Sequence, residues 1–300
     1  MPLVWNSNSI MHLEAVSSGA QAHQNEDWAG SFSPPGSTDL VIIDGATSVA
    51  ERDYIDSEHG DVRWFVTRFV AALEPAIDAG LGQAEAVHAA ASTVDLAFRE
   101  RSAGQVVPSY AWPIAALSWV RARKTDRGHR LALYCLGDCK VLMRTPDGAI
   151  ADLDPFVNPQ EGIVRAEIAR LQAEGVADPA ARMERLMPML RARRTFQNTA
   201  PRTNSLCLRP NGGFGARTYT VDAPAGSTVL AMTDGFYRLV DTYGLHTPQS
   251  LFALCGEHGL GTALAQLRRH ETAPHTRAAA TVKRADDASA ILWRDDMAGR

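Results

Sequence analysis

Val41-Ile42-Ile43-Asp44-Gly45-Ala46-Thr47-Ser48 is an apolar run that ends on a carboxylate and a glycine. Its length and β-branched content read as a buried strand over residues 40–43, and Asp-Gly as the turn that stops it. The pattern recurs twice. The run 131–136 leads into Gly137-Asp138, and the run 229–232 leads into Thr233-Asp234-Gly235. Turn chemistry accounts for one or two such pairs; three strand-end aspartates, each beside a glycine, point to a shared site.

Working outward, residues 10–16, 115–121, 141–144, 205–208 and 288–293 also read as strands. Val62, Phe65, Val66, Phe69, Val70, Leu73 and Ile77 repeat at three and four, as on one face of a long helix, and Val87, Ala91, Val94 and Phe98 form a second stripe. Two adjacent one-sided helices are expected to pack as an antiparallel pair against a sheet. Trp64-Phe65 and Phe236-Tyr237 read as core. After Asp154-Pro155 the texture changes to Ala, Glu, Arg and Met, so residues 156–202 read as a helical insertion with helices over 165–174 and 180–194. Helices are also expected over 248–258, with Thr247 as N-cap before Pro248, and over 262–271. Strands, two helices, strands, two helices and a strand suit an α+β layered fold, read as a single domain over residues 1–300.

With 45% apolar residues the chain can bury a normal core, and a formal charge of −4 with pI near 6.1 argues against a nucleic-acid partner. The basic run Arg191-Ala192-Arg193-Arg194 reads as a solvated helix face. The four cysteines lack paired CxxC spacing, which speaks against zinc and disulfides. No apolar run approaches a membrane span and no leader is recognisable, so the expectation is a soluble, cytoplasmic protein.

Two further acidic groups flank strands: Asn25-Glu26-Asp27 near the start and Asp286-Asp287 before the last strand. Carboxylates gathered without His or Cys are the donors that Mg2+ and Mn2+ prefer. Two such ions can activate a water and clamp a phosphoryl group for in-line displacement.

These segments, in this order, resemble the metal-dependent protein phosphatases (the PPM, or type 2C, serine/threonine phosphatases) in a divergent, bacterial-type form. The matching motifs are Asn25-Glu26-Asp27, Asp44-Gly45, Gly137-Asp138-Cys139-Lys140, Thr233-Asp234-Gly235 and Asp286-Asp287-Ala288-Ser289, spread over nearly the whole chain. The resemblance implies a layered β-sandwich flanked by antiparallel helix pairs, with residues 156–202 where the family carries a variable flap. It implies that Asp44 bridges two Mn2+ or Mg2+ ions and that Gly45 offers its carbonyl to one of them. Glu26 would serve that ion, Asp234 and Asp286 the other, and Asp138 a weaker third; Asp27 would orient the attacking water. Asp44, Asp234 and Asp27 are thus the expected catalytic residues, and a phosphorylated protein, such as the substrate of a cognate serine/threonine kinase, the expected partner.

Two positions depart from the family pattern. Ala22 stands where the family places a phosphate-gripping Arg, and Ala46 where it places a proton-donating His. Candidate substitutes are His23 and His59 as proton donors and Arg52, His59, Lys283 and Arg284 at the phosphate, although the histidines and Arg52 read more simply as ordinary surface groups. Three functions follow: a phosphoserine/phosphothreonine phosphatase, a phosphatase-fold binding or regulatory module with weakened turnover, or a two-metal phosphoesterase acting on a small metabolite.

Overall fold

The computed structural model describes residues 11–21, 25–273 and 285–295. The chain opens with β1 (Met11–Ser18), β2 (Trp28–Phe32) and β3 (Thr38–Gly45), followed by helices α1 (Asp61–Asp78) and α2 (Gln83–Arg101). Four strands come next: β4 (Ile114–Thr125), β5 (Gly128–Leu136), β6 (Lys140–Arg144) and β7 (Ile150–Asp152). Helices α3 (Pro159–Ala173) and α4 (Pro179–Thr199) form the insertion. Short strands β8 (Pro201–Thr203), β9 (Leu206–Cys207) and β10 (Asn211–Phe214) lead to β11 (Arg217–Pro224) and β12 (Thr228–Met232). Then follow α5 (Asp234–Tyr237), α6 (Pro248–Thr272) and β13 (Ala288–Asp295).

Two antiparallel sheets carry the architecture. One runs β1-β13-β12-β6-β7; the other runs β11-β5-β4-β3-β2, with β9 paired to β4. Period-two alternation in β3 explains why its run is apolar on both faces. Leu40 and Ile42 meet Val120, Leu133, Val229, Ile291 and Trp293 between the sheets, whereas Val41 and Ile43 meet Phe65, Phe69 and Phe98 of α1 and α2 on the outer face. On the other side, α5 and α6 cover the second sheet through Phe236, Leu251, Phe252 and Leu267 against Leu230, Met232 and Leu292. The result is a helix–sheet–sheet–helix stack, the α+β sandwich with flanking helix pairs expected from the sequence. The start of β3 is fixed by Asp39, which is fully buried and accepts hydrogen bonds from Trp119 Nε1 at 2.6 Å and Arg121 Nε at 2.7 Å.

The two C-terminal helices appear as one element broken at Gly259 (φ 79°, ψ 165°), and Thr247 caps it through the Ser250 amide. In the insertion, Asn158 and Asp178 cap α3 and α4, and Ile168, Leu171 and Leu186 give the pair a small core of its own. Helix α3 begins at Pro159, ahead of the expected 165, because Asn158-Pro159 is itself a start signal. Strands β2, β7, β8, β10 and β11 are additions to the sequence reading. Edge strand β11 alternates exposed and half-buried residues over most of its length and interleaves Thr218, Thr220 and Asp222 with Tyr219 and Val221, so it carries little apolar signal. Among the described residues no helix is long and apolar enough to cross a membrane.

Candidate metal and phosphate site

The acidic motifs converge where strand ends from the two sheets meet, and glycines make the joints. Asp44 and Gly45 end β3 opposite Ala116 and Ala115 of β4. A Cβ at Gly45 would lie 2.5 Å from the Glu26 carbonyl oxygen and 2.7 Å from Glu26 Cβ, so the absence of a side chain lets the Glu26 loop close onto the end of β3. At Gly235 a Cβ would lie 1.9 Å from the Asp287 carbonyl oxygen and 3.3 Å from Asp286 Cβ, which seats Asp234 against the Asp286-Asp287 loop. Gly137 (φ 76°) packs on Ala116, the partner of Asp44, and so brings Asp138 to the same place. These are the glycines that accompany the acids in the sequence.

Asp287 is occupied as a structural clamp: its carboxylate accepts the Ala20 amide at 2.8 Å and the Glu26 amide at 2.6 Å. Asp286 beside it lines an acidic cleft of about 640 Å3 together with Glu26, Asp53, Glu58 and His59. Asp27 is buried; its Oδ2 accepts the Thr233 hydroxyl at 3.0 Å, while its Oδ1 is buried with no hydrogen-bond partner.

Charge crowding follows from this convergence. The half-buried Asp44 carboxyl is pushed well above the usual carboxylate range by burial first and then by Asp234, Asp27 and Asp138, and it shares a hydrogen bond with Asp234. Burial, then Asp287, also lifts Asp27, against the Thr233 and Ser289 hydrogen bonds that favour its charged form. Buried Cys139 beneath the acids has its thiol pushed up by burial and by Asp44 and Asp138. All four cysteines are free and buried, as expected.

An all-oxygen donor set, a carboxyl–carboxyl contact and a buried carboxylate oxygen without a partner together suit a hard divalent cation, which would replace the shared proton and neutralise the cluster. Among the described residues no three such side chains stand drawn together as around an ion, so the acids are gathered without being closed into a cage.

Comparison with solved structures decides the architecture. A Mycobacterium tuberculosis serine/threonine phosphatase, PstP/Ppp, is similar over 96% of this chain and 99% of its own, with TM-score 0.54 and 14% identity. An S. agalactiae serine/threonine phosphatase matches over 95% and 99%, with TM-score 0.54 and 13% identity. The chain has the type 2C phosphatase fold. The PstP catalytic domain in complex with two manganese ions matches over 95% and 97%, with TM-score 0.52 and 15% identity. No protein-family model and no curated protein matches the sequence.

The residues that the sequence offered for the phosphate do not gather in one place among the described residues. His59 does line the acidic cleft, half-exposed beside Asp56 Oδ2 at 3.4 Å. Arg52 does not: its guanidinium lies 4.6 Å over the Tyr54 ring and bonds Gln105. His23, Lys283 and Arg284 lie outside the described residues.

The basic run of α4 is not a solvated face. Arg191 Nε donates to the Val49 carbonyl at 2.9 Å and its Nη1 pairs with Glu51 at 2.8 Å. Arg194 is buried, and its Nη2 donates to the Thr47 carbonyl at 3.0 Å, just beyond the Asp44-Gly45 turn. The signal was present in the spacing: Leu186, Leu190, Arg194 and Asn198 follow at four-residue intervals, so Arg194 shares the stripe on which Leu186 and Asn198 are buried. Counting charge alone hid it.

Proposed function

We propose that this protein is a metal-dependent phosphoprotein phosphatase of the PPM family, a single catalytic domain with residues 156–202 as its flap, hydrolysing phosphoserine or phosphothreonine. The observation that carries this reading is the mutual crowding of the Asp27, Asp44, Asp138 and Asp234 carboxyls at the meeting point of the strand ends in a type 2C fold, with the Glu26 and Asp286 loops seated beside them on Gly45 and Gly235. In it Glu26, Asp44, the Gly45 carbonyl, Asp234 and Asp286 would hold two Mn2+ or Mg2+ ions, with Asp138 available for a third. When bound, the ions supply Lewis-acid polarisation of the phosphoryl group and a water acidic enough to react at neutral pH.

The chain's own groups do the rest. Thr233 fixes Asp27 through Oδ2, leaving Oδ1 aimed at no protein donor and free to accept a hydrogen bond from the attacking water. Asp287 holds the Glu26 loop in place. Ala46, whose amide donates to the Ile114 carbonyl at 3.1 Å, presents only a methyl group and gives no proton to the leaving alkoxide.

That methyl group also favours a second reading, a phosphatase fold retained for recognition with little turnover. Hydrolysis of a phosphothreonine peptide with Mn2+, with EDTA, and by Asp44→Ala and Asp234→Ala separates the two. The proposal expects Mn2+-dependent release of phosphate that both substitutions reduce by at least about 10²-fold. Turnover retained in both variants, or none in the wild type, contradicts it.

A further inference from the structure

The second cleft, about 620 Å3, opens between the flap and the sandwich, with Ala46 and Asp138 at its inner end and Arg193, Arg194 and Arg202 on its walls. Its charge is opposite to that of the neighbouring acidic cleft. Arg194 is 8% exposed, and among the described residues it has no carboxylate at ion-pair distance; its printed hydrogen bonds go to the Thr47 carbonyl at 3.0 Å and the Ala46 carbonyl at 3.5 Å. A buried guanidinium tied to carbonyls, with its nearest acting carboxylate beyond ion-pair distance, is costly to keep, and an anion arriving at it would offset that cost. Burial pulls the group down to about 10, so it stays cationic at neutral pH, and the Glu26 charge is close enough to act on it.

Two other features point the same way. Arg193 donates to Asn158 Oδ1 at 3.3 Å, and Asn158 Nδ2 donates to Asp138 Oδ2 at 2.7 Å, so the flap cations and a cluster acid are joined through the cap of α3. Arg202 is the non-glycine residue with positive φ (51°) among those described, and it is exposed on the cleft wall. Its carbonyl is accommodated by Gly215, where a Cβ would come within 2.3 Å. A left-handed arginine held by a glycine partner is strain kept at a place where its side chain faces a ligand space. Phe156 and Phe196 add apolar wall, Phe196 being 69% exposed.

We propose that this cleft is the phosphoamino-acid subsite. Arg194 meets the phosphoryl group in place of the arginine absent at position 22. Arg193 and Arg202 bind acidic flanking residues, and Phe156 and Phe196 take the peptide's apolar side. The occupant is a phosphorylated segment of a protein, because the apolar wall and the spread of three cations exceed what a single phosphate needs. The assignment rests on the phosphatase reading for its purpose but not for its test, which needs no turnover.

The test is fluorescence anisotropy of a labelled phosphothreonine peptide with acidic flanks and of its unphosphorylated twin, bound to the full chain in EDTA and again with Mn2+, with inorganic phosphate as competitor. Wild type is expected to prefer the phosphorylated peptide at least tenfold. Arg194→Gln should abolish that preference, Arg194→Lys restore part of it, and Arg202→Gln weaken both peptides two- to fivefold. Thermal unfolding of each variant separates binding loss from flap collapse, since a tie that is only structural lowers Tm and both affinities together. Unchanged preference in a folded Arg194→Gln protein overturns the proposal, and so does equal binding of the twins. Competition by inorganic phosphate as strong as by the whole phosphopeptide overturns its peptide part and points to a small phosphorylated metabolite. Arginine-dependent binding without hydrolysis leaves the subsite standing and removes the phosphatase reading; metal-dependent hydrolysis with no role for Arg194 does the reverse.

Discussion

Asp44→Asn should make the metal-free protein more stable while removing its response to metal. Asn keeps the size of the side chain and a hydrogen-bond donor for Asp234, but deletes one charge from a cluster in which burial, Asp234, Asp27 and Asp138 all lift the Asp44 carboxyl. An acid whose folded-state pKa is raised penalises the folded state as pH climbs from its ordinary value of 3.8 through the lifted one. The gain from Asn therefore grows as pH rises above 3.8 and vanishes only below it, where Asp44 is protonated in both states. Relief of such a contact is worth about 1–2 kcal/mol, and at about 2–4 °C per kcal/mol for a chain of this class the metal-free Tm should rise by about 2–8 °C. In contrast, Mn2+ at 100 times its Kd stabilises the wild type by about 2.7 kcal/mol, and the variant should lose that gain. Differential scanning fluorimetry at pH 8 and pH 5, in EDTA and in Mn2+, reads all four states. A metal-free Tm that falls, with the Mn2+ response intact, would mean that Asp44 serves only as a turn former and would refute the reasoning.

Gly235→Ala places a methyl group 1.9 Å from the Asp287 carbonyl oxygen; overpacking should cost about 1–3 kcal/mol and weaken Mn2+ binding by displacing Asp286, as thermal unfolding and metal titration would show. Asp39→Ala strands the buried Arg121 guanidinium and the Trp119 indole N–H, an expected loss of about 3–5 kcal/mol in urea unfolding. With only a methyl group at Ala46 to face the leaving oxygen, aryl phosphates should turn over well ahead of alkyl phosphates, by about 10²-fold or more; equal kcat/KM for the two would mean that another group supplies the proton.

Strands whose faces are both covered declared themselves in the sequence, because a run such as Leu40–Ile43 has no polar face to disguise it. The acids at strand ends were legible for a similar reason: a carboxylate after a buried strand, with a glycine beside it, is conspicuous. What the glycines do was not legible. That Gly45 and Gly235 admit the backbones of Glu26 and Asp287 depends on loops far apart in the chain. Edge strand β11 escaped because every second side chain faces solvent and most of the others are only half covered. Arg194 escaped because an arginine among arginines reads as surface, and only its place on the buried stripe of α4 says otherwise. Asp287 was paired in the sequence with Asp286, yet the structure gives the two neighbours different work: one clamps amides, the other faces the cleft.

If these acids form a two-cation site, Mn2+ should bind with a stoichiometry of two. Isothermal titration calorimetry of Mn2+ into the EDTA-stripped, dialysed protein tests it most directly, alongside Asp44→Ala. Two sites are expected in the wild type, with release of protons as pH is lowered towards the raised carboxyl range, and loss of both in Asp44→Ala because that residue would serve both ions. No Mn2+ binding to a folded wild type, or unchanged stoichiometry in Asp44→Ala, would contradict it.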